Sequence, residues 1–223
     1  MRVIARVRSD FDEKFGIPRQ SGLVDALRAQ VVFEPPFRNE NALRGIEGFS
    51  HLWLLWEFSE CSGHAWSPTV RPPRLGGNTR MGVFATRAPY RPNPIGLSCV
   101  RLLSVRRDAA EGPVLEIAGA DLMDGTPIFD IKPYIPYADC IPDASGGFAQ
   151  KAPGAALTVD FPAALLSRIP AEKRAALCAV LAEDPRPRYQ DDPARVYGMR
   201  FAGQNIRFFV RDGVLFVTDV EAE

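Results

Sequence analysis

The chain concentrates its chemically versatile side chains in two short segments. The first, DLMDGTPIFDIKPYIPYAD over residues 121–139, places several carboxylates and a lysine around the Asp124-Gly125 turn, with two tyrosines close behind. Aspartates in such a setting act as general bases or accept hydrogen bonds from an amine or a ribose hydroxyl. Aspartates also cap turns through Asx-type hydrogen bonds, and one of Asp121 and Asp124 is expected to do only that.

The second segment is the proline-rich loop TRAPYRPNPIGLS, residues 86–98, which combines three prolines with two arginines. Each proline fixes its own φ near about −65° and removes a backbone N–H donor, so the loop is stiff and cannot serve as a central strand. Cations that project from a rigid loop, here Arg87 and Arg91, indicate a surface that binds an anionic ligand. The alternative is a rigid crossover whose arginines pair with neighbouring carboxylates.

Several familiar site signatures are missing from the sequence. There is no GxGxxG that follows a strand and opens a helix, and no GxxxxGK[ST], HExxH or GxSxG, so Rossmann, P-loop, zincin and hydrolase interpretations lose support. The four cysteines match no metal-ligand spacing, and the chain has two histidines. A metal-free protein with reduced thiols is expected, with Cys99 and Cys178 in the core.

Size and composition indicate one sizeable globular domain, with room for a small appendage. The 223 residues are 46% hydrophobic, and no apolar run approaches the length of a membrane span. The N-terminus alternates charged and apolar residues, unlike a signal peptide, so a cytoplasmic protein is expected. Net charge is zero, yet residues 71–91 hold five arginines and no acid. That segment is either a local phosphate-binding patch or a solvated basic loop.

The elements that must position these side chains are mostly strands. Short apolar or alternating runs recur at intervals, separated by turn residues, and this pattern predicts a barrel or a sandwich. The run SHLWLLWEF at 50–58 is apolar throughout and reads as a strand buried on both faces. The strand predictions before the composition shift at Pro142 are MRVIARVRS, QVVFEPPF, SHLWLLWEF, RMGVFAT, IGLSCVRLLSV and GPVLEIAGADL.

After that shift the pattern becomes helical and then returns to strands. The stretch PAALLSRIPAEKRAALCAVLAED predicts a helix that carries Ala175, Leu177, Cys178 and Leu181 on one side. Three strands finish the chain, the last two joined by an Asp212-Gly213 hairpin turn. We therefore predict a mainly β protein, with a β-barrel-like domain over residues 1–157 and a small α+β domain over 158–223.

Longer sequence blocks place the chain in a family. EKFGIPRQSGL, RGIEGFSHLW, PTVRPPRLGGNTRMGVFATR, RPNPIGLS, DGTPIFDIKPY, PDAS and DPRPRY occur in this order. Together they resemble the TrmO (YaeB/TsaA-like) family of tRNA methyltransferases, from about Val3 to Tyr189. The resemblance implies a distorted β-barrel that dimerises and binds S-adenosylmethionine (SAM) near the dimer interface. It also implies methylation of N6 of N6-threonylcarbamoyladenosine at position 37, in the anticodon loop of tRNA.

Matching motifs imply particular site residues. By resemblance, the SAM pocket is formed by Pro18, Arg19, Gln20, Ser59, Glu60, Arg87, Leu97, Leu122, Met123, Asp124 and Gly125. The C-terminal motif implies contacts to tRNA from Asp184, Arg186 and Tyr189. Arg91 is grouped with these, although a position facing SAM or the partner subunit stays open for it.

The implied chemistry constrains the charged residues. SAM is a sulfonium cation, so Arg19 and Arg87 are expected to face its carboxylate or an RNA phosphate. The N6 nitrogen is weakly nucleophilic, and Asp124 and Asp130 are the expected acceptors of its proton. Tyr90 or Tyr134 would stack on the adenine. The alternatives are a tRNA- or SAM-binding protein without catalysis, and a methyltransferase for another RNA or a small molecule.

Overall fold

The computed structural model describes residues 1–61, 63–150, 156–187 and 192–222. Strands make up most of its regular structure. In chain order they are β1 (Ala5–Arg8), β2 (Arg28–Phe33), β3 (His51–Glu57), β4 (Thr69–Val70), β5 (Met81–Gly82), β6 (Ile95–Asp108), β7 (Gly112–Ala118), β8 (Pro127–Pro133), β9 (Thr158–Asp160), β10 (Tyr197–Phe201), β11 (Gln204–Arg211) and β12 (Val214–Ala222).

Helices are few and mostly short. The α-helices are α1 (Pro136–Asp139), α2 (Ala163–Leu166) and α3 (Ala171–Ala182). Single 3-10 turns lie at Pro35–Phe37, Glu40–Leu43, Ile46–Gly48, Ser59–Cys61, Pro73–Leu75, Val83–Ala85 and Gly147–Ala149. The mainly β architecture predicted from the sequence is confirmed.

Six strands form a closed barrel in the order β1-β2-β7-β6-β3-β8, and each neighbouring pair is antiparallel. Ala5 on β1 lies opposite Phe33 on β2 and opposite Ile128 on β8, so the ring of strands has no free edge. The alternation on β1 explains its place in the barrel, since Ala5 and Val7 are buried while Arg6 and Arg8 are exposed.

A second sheet lies in the C-terminal part of the chain. Its strands run in the order β10-β11-β12-β9, with β9 parallel to β12 and the other pairs antiparallel. The Asp212-Gly213 turn joins β11 to β12, and both of its residues have positive φ, as a tight hairpin requires. The helix α3 contributes Leu177 and Leu181 to the core of this sheet.

The connection between β1 and β2 belongs to the C-terminal core and not to the barrel core. Phe11 packs edge-on against Phe201 with ring centroids 5.3 Å apart, and Val24 and Leu27 are buried in the same cluster. A side chain at Gly16 would clash with Met199, because a Cβ there would lie 2.3 Å from its sulfur. The first thirty residues therefore link the barrel to the C-terminal sheet.

Strand β3 corrects one sequence-based prediction. Its side chains alternate, with Leu52, Leu54 and Trp56 in the barrel core and the intervening residues only half buried. The prediction of a strand buried on both faces is wrong, because the outer aromatic residues have local polar and aromatic partners. Trp53 donates a hydrogen bond to Asp139 at 3.1 Å and contacts the ring of Tyr134.

The helix α3 and the cysteines require further corrections. The buried residues of α3 are Ala176, Leu177, Val180 and Leu181, so Ala175 is exposed and Cys178 only half buried. The apolar residues cover more than one side of this helix, and periodicity alone did not select the buried side. Cys99 is half buried as well, whereas Cys61 is buried, and all four thiols are free.

Candidate active site

A cavity of about 570 Å³ opens beside one end of the barrel. Five separate segments enclose it: residues 14–20 before β2, 56–61 at the end of β3, 86–91 of the proline-rich loop, 95–97 at the start of β6, and 121–126 before β8. Its volume lies within the range of roughly 300–1,000 Å³ that is typical of small-molecule sites. Both chemistry-bearing segments of the sequence thus contribute to one concave site.

The proline-rich loop is held by its own hydrogen bonds. Arg91 Nη1 donates to the carbonyl oxygens of Val83 at 3.1 Å and Thr86 at 2.8 Å. The hydroxyl of Thr86 donates to the Val83 carbonyl and accepts from the backbone N–H of Ala88. The guanidinium of Arg91 also lies over the ring of Phe84, 5.6 Å from its centroid. Arg91 therefore braces the loop from within.

Trp56 and Gly96 meet at the start of β6, where the two residues are paired across β3 and β6. A Cβ at position 96 would lie 2.2 Å from the indole, a distance that real side chains do not show. Glycine is needed here to leave room for the ring and not for an unusual φ. The indole, in contact with Phe58 at 4.3 Å between centroids, then forms part of the cavity wall.

A partly buried carboxyl group lines the cavity. Asp121 Oδ1 accepts a hydrogen bond of 2.6 Å from the Ser98 hydroxyl, which in turn accepts one of 3.0 Å from Trp56 Nε1. Burial raises the pKa of Asp121, and the hydrogen bond from Ser98 and the nearby charge of Arg87 oppose this rise. A carboxyl group of raised pKa in a cleft is suited to accept and hold a proton.

The cationic side of the cavity is built from linked side chains. Arg87 donates to the side-chain oxygen of Gln20, whose amide nitrogen donates to the carbonyl of Arg19. Arg19 donates to the carbonyl of Arg186 at 3.1 Å, which brings the C-terminal motif to the cavity rim. Lys14, which also lines the cavity, pairs with Glu60 at 2.7 Å, and their hydrogen bond is the main reason that the pKa of Lys14 is raised.

Most of the residues expected in the cofactor pocket do line this cavity. They are Pro18, Arg19, Gln20, Ser59, Glu60, Arg87, Leu97, Leu122 and Met123. Arg91, expected at the tRNA, also borders the cavity. Tyr90 reaches it too, whereas Tyr134 lies on the outer face of the barrel beside Trp53 and His51.

The structure places other expected residues elsewhere. Asp124 caps a turn, accepting from the backbone N–H of Ser9 at 3.0 Å, and Gly125 donates its N–H to the carbonyl of Val7. Asp130 lies on β8 and pairs with Lys132 at 2.8 Å, outside the cavity. The expectation that Asp124 and Asp130 meet the substrate does not fit this placement. Asp121 is the aspartate of this segment that enters the site.

The C-terminal motif is described as far as residue 187. Asp184 accepts two hydrogen bonds from the guanidinium of Arg186, at 2.8 and 2.9 Å, and Asp184 has a positive φ of 54°. The Arg186 side chain is only 12% exposed, so it holds the turn and does not project from it. Tyr189 lies outside the described residues.

Asp121, Trp56 and Gly96 line the cavity but were not among the site residues predicted from the sequence. A signal for Asp121 was present, because it follows the apolar run of β7 and precedes the buried Leu122. No comparable signal marked Gly96, whose contact with Trp56 depends on strand pairing.

The cavity residues fit the cofactor that the resemblance implies. The cations of Arg19 and Arg87 suit the carboxylate at the amino acid end of the cofactor. Apolar side chains, among them Leu97, offer surface for a purine ring. The cations thus suit the amino acid end of SAM, and the apolar side chains suit its purine end.

Comparison with known proteins agrees with this arrangement. The family model for the tRNA-methyltransferase O N-terminal domain matches residues 6–140, and that for the TrmO C-terminal domain matches residues 154–223. The chain belongs to the TrmO family. The predicted membership is confirmed, and the two TrmO models together cover the barrel, the cavity and the C-terminal sheet.

Two relatives resemble the chain over nearly its whole length. One is the tRNA (adenine(37)-N6)-methyltransferase of Escherichia coli K12, 44% identical over 94% of this chain and 92% of that one. The other, from Pseudomonas aeruginosa, carries the provisional name of an S-adenosylmethionine-dependent methyltransferase and is 42% identical over 97% of this chain and 95% of that one.

A solved structure shows the same fold. The crystal structure of TrmO from Pseudomonas aeruginosa superimposes with a TM-score of 0.79 at 35% identity, covering 99% of this chain and 96% of that one. In the described part of the chain, no helix is long and apolar enough to cross a membrane. Within those same residues, no cluster of three or more His, Cys, Asp or Glu side chains could hold a metal ion.

Proposed function

We propose that the protein is a SAM-dependent tRNA methyltransferase that methylates N6 of N6-threonylcarbamoyladenosine at position 37. The observation that carries this proposal is the partly buried Asp121 carboxyl group, which lies in the same cavity as the cations Arg19 and Arg87. Family membership and the name of the Escherichia coli relative support the reaction class. The threonylcarbamoyl group of the acceptor is implied by the family resemblance.

The charged residues divide the cavity into two regions. Arg19 and Arg87 would bind the cofactor's carboxylate and stay away from its sulfonium, which an arginine would destabilise. Leu97, Leu122 and Met123 would contact its adenine ring. When bound, SAM supplies a methyl group carried by an electrophilic sulfonium. A cavity that orients both reactants can lower the barrier by several kcal/mol, up to roughly 7–11 in ideal cases.

Asp121 would accept the proton that N6 loses as it gains the methyl group. The acceptor nitrogen starts with one hydrogen and ends with a methyl substituent, so one proton must leave. Ser98 holds the Asp121 carboxyl group, and Trp56 holds Ser98, so the base has little freedom to move. Asp121 replaces Asp124 and Asp130 in this role, because those two lie outside the cavity.

The proposal extends to the domain boundary, the segment that contacts tRNA and the oligomeric state. The domain boundary falls between residues 157 and 158, and the C-terminal part contacts the anticodon loop through the segment that includes Asp184 and Arg186. The family resemblance further implies a homodimer in the cytoplasm. The hydrogen bond from Arg19 to the Arg186 carbonyl supports a coupling between the cofactor cavity and this C-terminal segment.

Nucleoside mass spectrometry tests the reaction. Purified protein, SAM and tRNA that carries threonylcarbamoyladenosine should yield the N6-methyl nucleoside, while the same tRNA with unmodified adenosine should not. Methylation of unmodified adenosine would replace the proposed acceptor. Binding of SAM and tRNA without methyl transfer would support the non-catalytic alternative and overturn the proposal.

A further inference from the structure

A second concave surface lies on the other side of the proline-rich loop. It is an open groove of about 450 Å³ beside the β4–β5 hairpin, and its polar lining includes Ser67, Thr69, Arg71 and Arg80. Pro89 and Tyr90 line both this groove and the cofactor cavity. A single stretch of loop is therefore the wall between the two.

The charge of the groove has one sign. Residues 61–107 contain no aspartate or glutamate. Arg71 and Arg80 are exposed, and Arg74 is half buried between them in sequence. Within the described residues, none of these three arginines forms an ion pair with a carboxylate. Arg80 makes one long hydrogen bond, of 3.4 Å, to the hydroxyl of Thr69. These cations are available to an anionic ligand.

Exposed aromatic rings accompany the cations. Trp66, Phe84 and Tyr90 are 50%, 73% and 47% exposed, and His64 meets the ring of Tyr90 edge-on at 6.5 Å. All three rings lie within residues 66–90, the same stretch of chain that carries the arginines, and are accessible to a ligand. Arginines that follow a backbone, interleaved with rings that stack on bases, are the composition of surfaces that bind single-stranded nucleic acid. An acidic protein partner would use the arginines but leave these exposed rings without a role.

We propose that this hairpin face, formed by the groove residues Thr69, Arg71, Arg80 and Tyr90 with Trp66, Arg74 and Phe84 close by in the chain, binds the phosphates and unpaired bases next to the nucleotide that enters the cavity. The inference rests on the proposed function for the identity of that nucleotide. Tyr90 borders both concave surfaces, so an RNA strand that lies in the groove can reach the cavity by passing over Tyr90. Tyr90 would stack on a base at that crossing, and Arg71 and Arg80 would bind adjacent phosphates.

The test compares two double variants of equal charge change. Arg71→Ala/Arg80→Ala removes the groove cations, and Arg28→Ala/Arg107→Ala removes two exposed arginines of the barrel. Binding of an anticodon stem-loop RNA is measured across a series of KCl concentrations, together with SAM affinity and the KM for tRNA. The groove variant should reduce the slope of log K against log salt by roughly 0.7–0.9 for each lost phosphate contact. Its KM should rise several-fold, with kcat and SAM affinity unchanged.

Further outcomes separate this proposal from the function on which it rests. The hairpin-face proposal would be overturned by an equal loss of RNA affinity in both double variants. It would also be overturned if the groove variant kept the parent's slope of log K against log salt. Arg71→Lys/Arg80→Lys should restore the slope, and Arg71→Gln/Arg80→Gln, which also removes both charges, is measured if the alanine variant does not fold. If the parent binds RNA with the expected slope and loses it in the groove variant, yet methylates nothing, the hairpin face stands and the proposed function fails. If polyglutamate displaces the RNA when both are present at the same concentration, the groove would be assigned to an acidic protein partner instead.

Discussion

The Ser98 hydroxyl donates a hydrogen bond of 2.6 Å to Asp121 Oδ1, and the same hydroxyl oxygen accepts one of 3.0 Å from Trp56 Nε1. Ser98 is fully buried, and Trp56 almost so. The indole can only donate, so the serine proton is directed towards the carboxylate. This chain of two hydrogen bonds positions Asp121, which among the described residues is the aspartate that lines the cavity.

Asp121→Asn should abolish most of the methyl transfer while SAM still binds. A positioned general base contributes about 10²–10⁴-fold to rate, so the single-turnover rate should fall by that factor. Asp130→Asn is the matched control, because Asp130 lies outside the cavity and pairs with Lys132. Equal losses in the two variants would remove Asp121 from the proposed role.

The pH dependence of stability provides an independent check on Asp121. Burial raises the pKa of Asp121 in the folded protein above its value in the unfolded chain, so the folded state holds the proton more tightly. This stabilisation is complete below the unfolded pKa and is lost as pH rises through the folded pKa. In urea titrations at increasing pH, the free energy of unfolding of Asp121→Asn should therefore rise relative to the parent. Parallel pH curves would contradict a buried, titrating carboxyl group.

The pH–rate profile should shift when Ser98 is replaced. The hydrogen bond from Ser98 favours the charged form of Asp121 and lowers its pKa. Without it the pKa rises further, so in Ser98→Ala the acidic limb of the single-turnover rate should move to higher pH. A uniform loss of rate at every pH would indicate that Ser98 acts only through packing.

Gly96→Ala should destabilise the barrel and weaken SAM binding together. The added methyl would overlap the Trp56 ring, and overpacking of this kind costs roughly 1–3 kcal/mol. Gly48→Ala is the control, since a Cβ at Gly48 would meet no atom within 4 Å. Chemical denaturation measures the first effect and calorimetry the second. A Gly96→Ala protein as stable as the control would show that the ring moves without cost.

Arg87→Ala should weaken SAM binding by about tenfold to a hundredfold, the worth of one hydrogen bond to a charged group. The variant loses both a cation for the carboxylate and the hydrogen bond that orients Gln20. Isothermal titration calorimetry with SAM measures the change, and Arg107→Ala, an exposed arginine paired with Glu40, is the control. An unchanged SAM affinity with weaker tRNA binding would assign Arg87 to the RNA.

The Asp184–Arg186 pair should influence both ligands. The Arg186 carbonyl accepts from Arg19, so loosening this turn in Arg186→Ala should lower SAM affinity as well as tRNA affinity. In a double-mutant cycle with Asp184→Ala, the free energies of unfolding should show a coupling of about 0.5–3 kcal/mol. Additive effects would mean that the pair adds nothing to the turn. Loss of tRNA affinity alone would favour direct contact of Arg186 with RNA.

Local sequence signals predicted much of the fold. Alternation on β1 and the Asp212-Gly213 turn identified elements that the structure shows, because side-chain period and turn chemistry depend on neighbouring residues. The same local signals gave the wrong burial for the outer face of β3 and the wrong buried side of α3, because burial depends on what packs against each element. Gly96 shows the same limit, since its neighbour Trp56 is forty residues away in the chain.

The sequence by itself determined the mainly β architecture, the stiffness of the proline-rich loop and membership of the TrmO family. Only the tertiary structure decided that Asp121 and not Asp124 enters the cavity, and that Arg91 braces the loop from within. It also decided that residues 11–27 pack with the C-terminal sheet. The physical reason is that backbone stiffness is a local property. The direction in which a side chain points is settled by contacts between residues far apart in the chain.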